Sequence, residues 1–218
     1  MTLASPISSD RNRLLDQQHL VMHDVSWSFY EDLLAQIENR PLRVTFDHGR
    51  LEIMAPLPEH EVPKGSIGRL LEAMADELDI PLSGFGSSTF RREDLAAGLE
   101  PDECYYLENS ARVQGMKRFD PAIYPPPDLA IEIDITSRSI PRQPIYAALG
   151  VPELWRFDGF RLLILLLRSG VYCAVGRSPS FPFLPIDKFG GFVRRMLDEP
   201  PTSVVREFRV WVRTLQTR

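Results

Sequence analysis

The chain has 218 residues, 44% of them apolar and 25% charged, which is enough to bury one sizeable core and excludes a largely disordered protein. A formal net charge of -5 excludes a global basic field, so a nucleic-acid partner would have to meet a local basic surface or depend on metal ions. The only cysteines, Cys104 and Cys173, have no neighbour at Cys-x-x-Cys spacing. That argues against a disulfide framework or a zinc site and for a reducing, cytoplasmic setting. The longest apolar run, Leu162 to Leu167, is too short to span a bilayer, and the first residues lack a signal-peptide pattern, so no membrane segment is expected.

Residues 1 to 24 are polar and mixed and read as an N-terminal arm, with residues 25 to 218 forming a single domain. Trp27, Tyr30, Leu33, Leu34 and Ile37 have helical spacing, with Ser26 as a cap and an end near Asn39-Arg40-Pro41. The alternation Leu42 to Phe46, the turn residues Asp47-His48-Gly49-Arg50 and the return Leu51 to Met54 predict a hairpin. Glu59-His60-Glu61 then leads into a long helix carrying Ile67, Leu70, Leu71, Met74 and Leu78. Both acids lie where a helix dipole favours negative charge, the plainer reading of them beside a functional one. Pro81 and Gly84-Phe85-Gly86 break that helix, and Ser87 to Arg91 reads as a strand. A turn or helical loop at Arg92 to Leu99 precedes a strand running from Pro101-Asp102 into Cys104-Tyr105-Tyr106.

After a proline-rich and charged excursion from Arg112 to Pro127 comes the most informative segment, Pro127 to Thr136. Side chains alternate faces in a strand, so Leu129, Ile131, Ile133 and Ile135 share an apolar side, while Glu132 and Asp134 share the other with Asp128, Ala130 and Thr136. Such acids are exposed, hydrogen-bonded or bound to a cation, because an unpaired buried carboxylate is costly. The alternation alone fits a half-exposed strand equally well. Asp102, on a second strand upstream, raises the cation reading, since two strands would then each bring an acid to one divalent ion. Farther on, Ile140 to Leu149 reads as a helix whose regular part starts at Pro144, followed by a hairpin of Leu154 to Phe157 and Leu162 to Leu167 and a C-terminal helix from Val204 to Leu215. The whole reads as an α+β domain with a mixed sheet.

Three blocks in this order carry a resemblance: Gly98-Leu99-Glu100-Pro101-Asp102-Glu103-Cys104-Tyr105-Tyr106, Pro127-Asp128-Leu129-Ala130-Ile131-Glu132-Ile133-Asp134, and Ile145-Tyr146-Ala147-Ala148-Leu149-Gly150-Val151-Pro152-Glu153-Leu154-Trp155-Arg156. Together with Pro58 to Glu61 they make the chain, from about Ser26 through Arg168, similar to the Uma family of restriction endonucleases, a branch of the PD-(D/E)XK nuclease superfamily. The resemblance implies a restriction-endonuclease-like core, a mixed sheet flanked by helices. It implies a Mg²⁺- or Mn²⁺-dependent endonuclease that hydrolyses DNA phosphodiester bonds at an unspecified target; a homodimer is a separate expectation that draws on the apolar Leu162 to Leu167 strand.

Position by position, the resemblance makes Asp102 and Glu132 the two acids of the motif and places the backbone carbonyl of Ile133 with them as metal ligands. Glu61 would reach the same ion directly or through water. Asp128 is a false match, because four residues of strand set it roughly 13 Å from Glu132, too far for both to touch one ion at about 2 Å. Asp134 falls where the superfamily usually places lysine. It is then an added ligand, or a cation from elsewhere, Arg142 or Lys64, takes the lysine's part, or catalysis is lost while the fold persists. Arg142, four residues before Tyr146, is the better substitute, and its role would be electrostatic because arginine stays charged.

Arg91-Arg92, Lys117-Arg118, Arg138, Arg142 and Arg194-Arg195 are the candidate phosphate contacts, although each taken singly reads more readily as a solvated surface charge. Of the four histidines only His60 neighbours the proposed site. Two other readings stand beside the nuclease: an inactive module of the same fold that binds nucleic acid or protein, and a dimerising protein that pairs the apolar Leu162 to Leu167 strand across a subunit boundary.

Overall fold

The structure, a computed structural model, describes residues 19–37, 40–55, 57–135 and 139–215. Its elements, in chain order, are β1 (His19–Met22), α1 (Trp27–Ile37), β2 (Arg43–Asp47), β3 (Arg50–Met54), α2 (Pro58–Leu78), β4 (Ser83–Gly84), β5 (Phe90–Arg92), β6 (Ala97–Leu99), β7 (Glu103–Tyr106) and β8 (Leu129–Ile133). They continue with α3 (Arg142–Leu149), β9 (Glu153–Phe157), β10 (Leu162–Arg168), β11 (Val171–Val175), α4 (Ile186–Asp198) and α5 (Pro201–Arg213). The α+β class is as expected, but the strands form two sheets rather than one. A five-stranded antiparallel sheet runs β1-β3-β2-β6-β5, and a six-stranded sheet runs β11-β10-β9-β8-β7-β4 with β8 and β9 its parallel pair.

The chain crosses between sheets at Glu100-Pro101, because β6 pairs with β2 while β7 pairs with β8. Proline has no N–H to continue a ladder, so the break falls at a residue that cannot support pairing. In the first sheet, His48 and Gly49 both have positive φ, 48° and 82°, the backbone that a two-residue hairpin turn demands. Ser26 Oγ accepts the Phe29 N–H at 3.2 Å and starts α1, which buries Tyr30, Leu34 and Ile37 on Val44, Phe46 and Leu51. Gly98 lies under Tyr30, where a Cβ would come within 2.4 Å of Tyr30 Oη.

The second sheet is covered on both faces. Leu129, Ile131 and Ile133 of β8 pack with Ile67, Leu70, Leu71 and Met74 of α2 and with Phe189, Val193 and Phe208 of α4 and α5. Ala130, Leu154 and Leu165 face Ile145, Tyr146 and Leu149 of α3. The expected alternation of β8 is therefore present from Leu129 to Ile133, with Asp134 and Ile135 beyond the strand end.

Several boundaries differ from expectation. Part of the assigned arm, His19–Met22, is a strand on β3. Helix α3 starts at Arg142 rather than Pro144, because a first-turn proline only removes an N–H that has no helical partner. Strand β5 is shorter than Ser87 to Arg91, and β11 and α4 were not foreseen. Helix α4 contains Gly190-Gly191, yet Phe189, Phe192, Val193 and Met196 line one side and bury it. Strand β10 is hydrogen-bonded to β9 and β11 on its two sides, so it is not an edge and cannot pair across a subunit boundary. Among the described residues no helix is long and apolar enough to cross a membrane.

Candidate active site

Glu132 lies on the β8 face turned toward α3 and is only 5% exposed. Arg142 and Tyr146 are four residues apart on α3 and so share one side of the helix, which meets that carboxylate. Tyr146 Oη donates to Glu132 Oε1, and Arg142 Nη1 stands 3.2 Å from Glu132 Oε2. The guanidinium also lies 5.8 Å from the Tyr146 ring centroid. Burial opposes the charge of Arg142, but Glu132, Tyr146, Asp102 and Glu52 together outweigh it, and the guanidinium is held charged well beyond its ordinary range. Burial and then the Glu132 charge push the Tyr146 phenol far up, so it remains a donor across the accessible pH range.

Asp102 reaches the same place from β7. The register Glu103↔Ile131, continued by one residue, sets Asp102 across from Glu132. With ladder pairing finished at Glu103, Asp102 Oδ2 takes over as acceptor for the Ile133 N–H, at 2.7 Å. Two arginines fasten the crossing segment. Arg43 Nη1 donates to the Pro101 carbonyl at 3.1 Å, and Arg142 Nη2 donates to the Glu100 carbonyl. Arg43 Nη2 is in turn 3.5 Å from Glu61 Oε1 in the first turn of α2, and Lys64 is 3.4 Å from Glu61 Oε2. Glu61 thus adjoins the site through Arg43, with its side chain 45% exposed.

Asp134 does not meet the other acids. Its carboxylate pairs with Arg156 of β9, the residue in register with Glu132 on the parallel strand. The Asp134–Arg156 pair, Glu132, Arg142, Tyr146 and Tyr172 line a cleft of about 660 Å³. Asp128 instead organises the strand entry: Oδ2 accepts the N–H groups of Leu107 at 2.7 Å and Asn109 at 3.0 Å.

Four contributors were not singled out from sequence: Arg43, Glu52, Tyr146 and Arg156. Glu52 of β3 is 2% exposed and accepts from His19 Nε2 at 2.8 Å and the Ser139 N–H at 2.9 Å. The available signal was a charge inside a strand otherwise apolar, seen in Leu51-Glu52-Ile53 and in Trp155-Arg156-Phe157. The scattered basic residues are mostly spoken for. Arg91 pairs with Glu31, Arg92 with Asp94, and Arg195 with Glu199 and Glu207, while Arg138 lies outside the described residues.

Among the described residues no group of three or more His, Cys, Asp or Glu side chains is gathered to hold an ion. Asp102 and Glu132, set opposite one another across one ladder, and the carbonyl of Ile133 beside Glu132 would nevertheless offer hard oxygen donors. Such a half-shell suits Mg²⁺ or Mn²⁺, because Mg²⁺ keeps several waters and takes one or two carboxylates rather than a full protein cage.

The α+β core with its mixed central sheet is the class expected from the resemblance. The family model Uma2, described as "putative restriction endonuclease", matches residues 27–192, and the chain belongs to that family. A solved structure from Anabaena variabilis, described as a putative nuclease, is similar at 15% sequence identity and a TM-score of 0.49, covering 69% of this chain and 90% of that one. Curated proteins give no match.

Proposed function

We propose that the chain is a divalent-metal-dependent DNA endonuclease. The observation that carries this reading is the register that sets Asp102 opposite Glu132 across the β7–β8 ladder, with Glu132 lining the cleft. These two carboxylates and the Ile133 carbonyl would hold Mg²⁺ or Mn²⁺. When bound, such an ion neutralises charge on the attacked phosphate and makes its water a better nucleophile.

The rest of the site sets those oxygens. Tyr146 and Arg142 fix the Glu132 carboxylate, the Ile133 N–H fixes Asp102, and Arg43 holds the Pro101 carbonyl next to it. Glu61 completes the acidic side through Arg43. Asp134 contributes from the cleft wall with its arginine partner. Supercoiled plasmid should be nicked in Mn²⁺ or Mg²⁺, and Asp102→Ala or Glu132→Ala should abolish nicking. Undiminished nicking by both variants rejects the assignment.

The second reading is an inactive module of the same fold that binds nucleic acid or protein. It is favoured by the acid at the usual lysine position and by the engagement of Glu132 with Arg142 and Tyr146. Calorimetry with Mn²⁺ separates the two. The nuclease should show ion binding that Glu132→Gln weakens, and the module should show none.

A further inference from the structure

The cleft has two arginines, and they differ in what each has left to offer. Arg142 has a side chain only 5% exposed, with its guanidinium held between Glu132 and the Glu100 carbonyl. A substrate phosphate could reach it only by dismantling the contacts that fix Glu132. Arg156 stands on the neighbouring parallel strand, in register with Glu132, and its side chain is 32% exposed. Its ion-pair partner among the described residues, Asp134, is exposed to the same degree. Three of its guanidinium's five N–H groups remain for the non-bridging oxygens of a second oxyanion even when a carboxylate occupies one edge.

We propose that Arg156 is the phosphate-binding cation of this cleft and that Asp134 is its positioning residue, holding the guanidinium on the wall beside Glu132. The ligand class is the phosphodiester backbone of a nucleic acid. The inference rests on the nuclease reading and refines it. The charge that a lysine two residues after Glu132 would supply comes here from the adjacent strand, and the acid at that position serves to aim it. An isolated half-exposed ion pair contributes little to stability, so a purely structural purpose explains the pair poorly. Its place in the cleft wall explains it better.

The test uses the full chain and a short fluorescein-labelled DNA duplex in calcium buffer, with anisotropy read over a salt series. Arg156→Ala should weaken binding about tenfold and lower the salt slope by about one, the signature of one lost phosphate contact. Arg156→Lys should keep the slope. The double variant Asp134→Lys with Arg156→Ala should recover it, because a cation returns to the same wall, whereas a merely structural pair would not be rescued. Affinity and slope unchanged in Arg156→Ala, no rescue by the double variant, or no duplex binding by the parent chain each overturns the proposal. Mn²⁺ calorimetry on the parent and on Arg156→Ala reports separately on the metal-dependent reading, since the ion ligands are untouched by the change.

Discussion

Asp102 and Glu132 face each other across the β7–β8 ladder, one residue beyond its last paired position, and both are almost wholly buried. Two acids so placed depend on a nearby positive charge, and Arg142 feels both of them. Arg142→Met should therefore cost about 3–5 kcal/mol, as expected when one partner of a buried ion pair is removed. Urea unfolding measures the loss, and added Mn²⁺ should restore part of it by binding the folded state alone. A loss below about 1 kcal/mol would mean that Arg142 is not the counter-charge.

Tyr146→Phe removes a single hydroxyl that donates to Glu132. Hydrogen bonds to charged groups contribute about 1.5–3 kcal/mol, and the variant should lose stability in that range with its fold unchanged. Urea midpoints at constant m-value are the check.

Glu100 titrates above the ordinary carboxylate range, chiefly because it is buried, with Thr89, Arg43 and Arg142 offsetting part of the effect. The folded state thus holds its proton more tightly than the unfolded one. The stability this gives is complete below the unfolded value of about 4.3 and is lost as pH rises through the folded value. Glu100→Gln should flatten that limb and be more stable than the parent at neutral pH. A parallel pH profile for parent and variant would refute this.

Glu77 behaves in the opposite way. Hydrogen bonds from Arg213 and Arg209 of α5 hold its carboxyl down at about 2, tying α5 to α2. This contribution is present above the unfolded carboxylate range and is lost only as pH falls through about 2. Thermal melts of Glu77→Gln should show a lower Tm than the parent near neutral pH, a smaller gap in high salt, and none in strong acid.

Gly98→Ala would drive a methyl to within 2.4 Å of Tyr30 Oη, in a packed part of the first core. The expected cost is about 1–3 kcal/mol. Tyr30→Phe in the same background should recover part of it, because the hydroxyl removed is buried and has no hydrogen-bond partner among the described residues. Chemical denaturation of the two single variants and the double variant tests the coupling.

Local patterns made much of this fold legible. The β2–β3 hairpin, α1, the long α2 and the two-faced β8 all follow from turn chemistry and periodicity, which act within a few residues. What stayed hidden was long-range. That β6 would join β2 rather than extend the sheet containing β7 depends on a crossover at Pro101, and nothing local specifies where the chain lands. Asp102 and Glu132 stand out through the family resemblance, and the antiparallel register sets the two positions opposite one another. Arg156 was not readable, because a cation in Trp155-Arg156-Phe157 acquires meaning only when the parallel register sets it beside Glu132 and Asp134.

Arg43 spans the seam between the two sheets, rising from β2 to grip the peptide that leads into Asp102. A slip of one residue in the β2–β3 register would turn that side chain to the opposite face and release the grip. An unbiased search for inactivating substitutions should therefore return lesions in the hairpin, among residues that never approach the acids themselves.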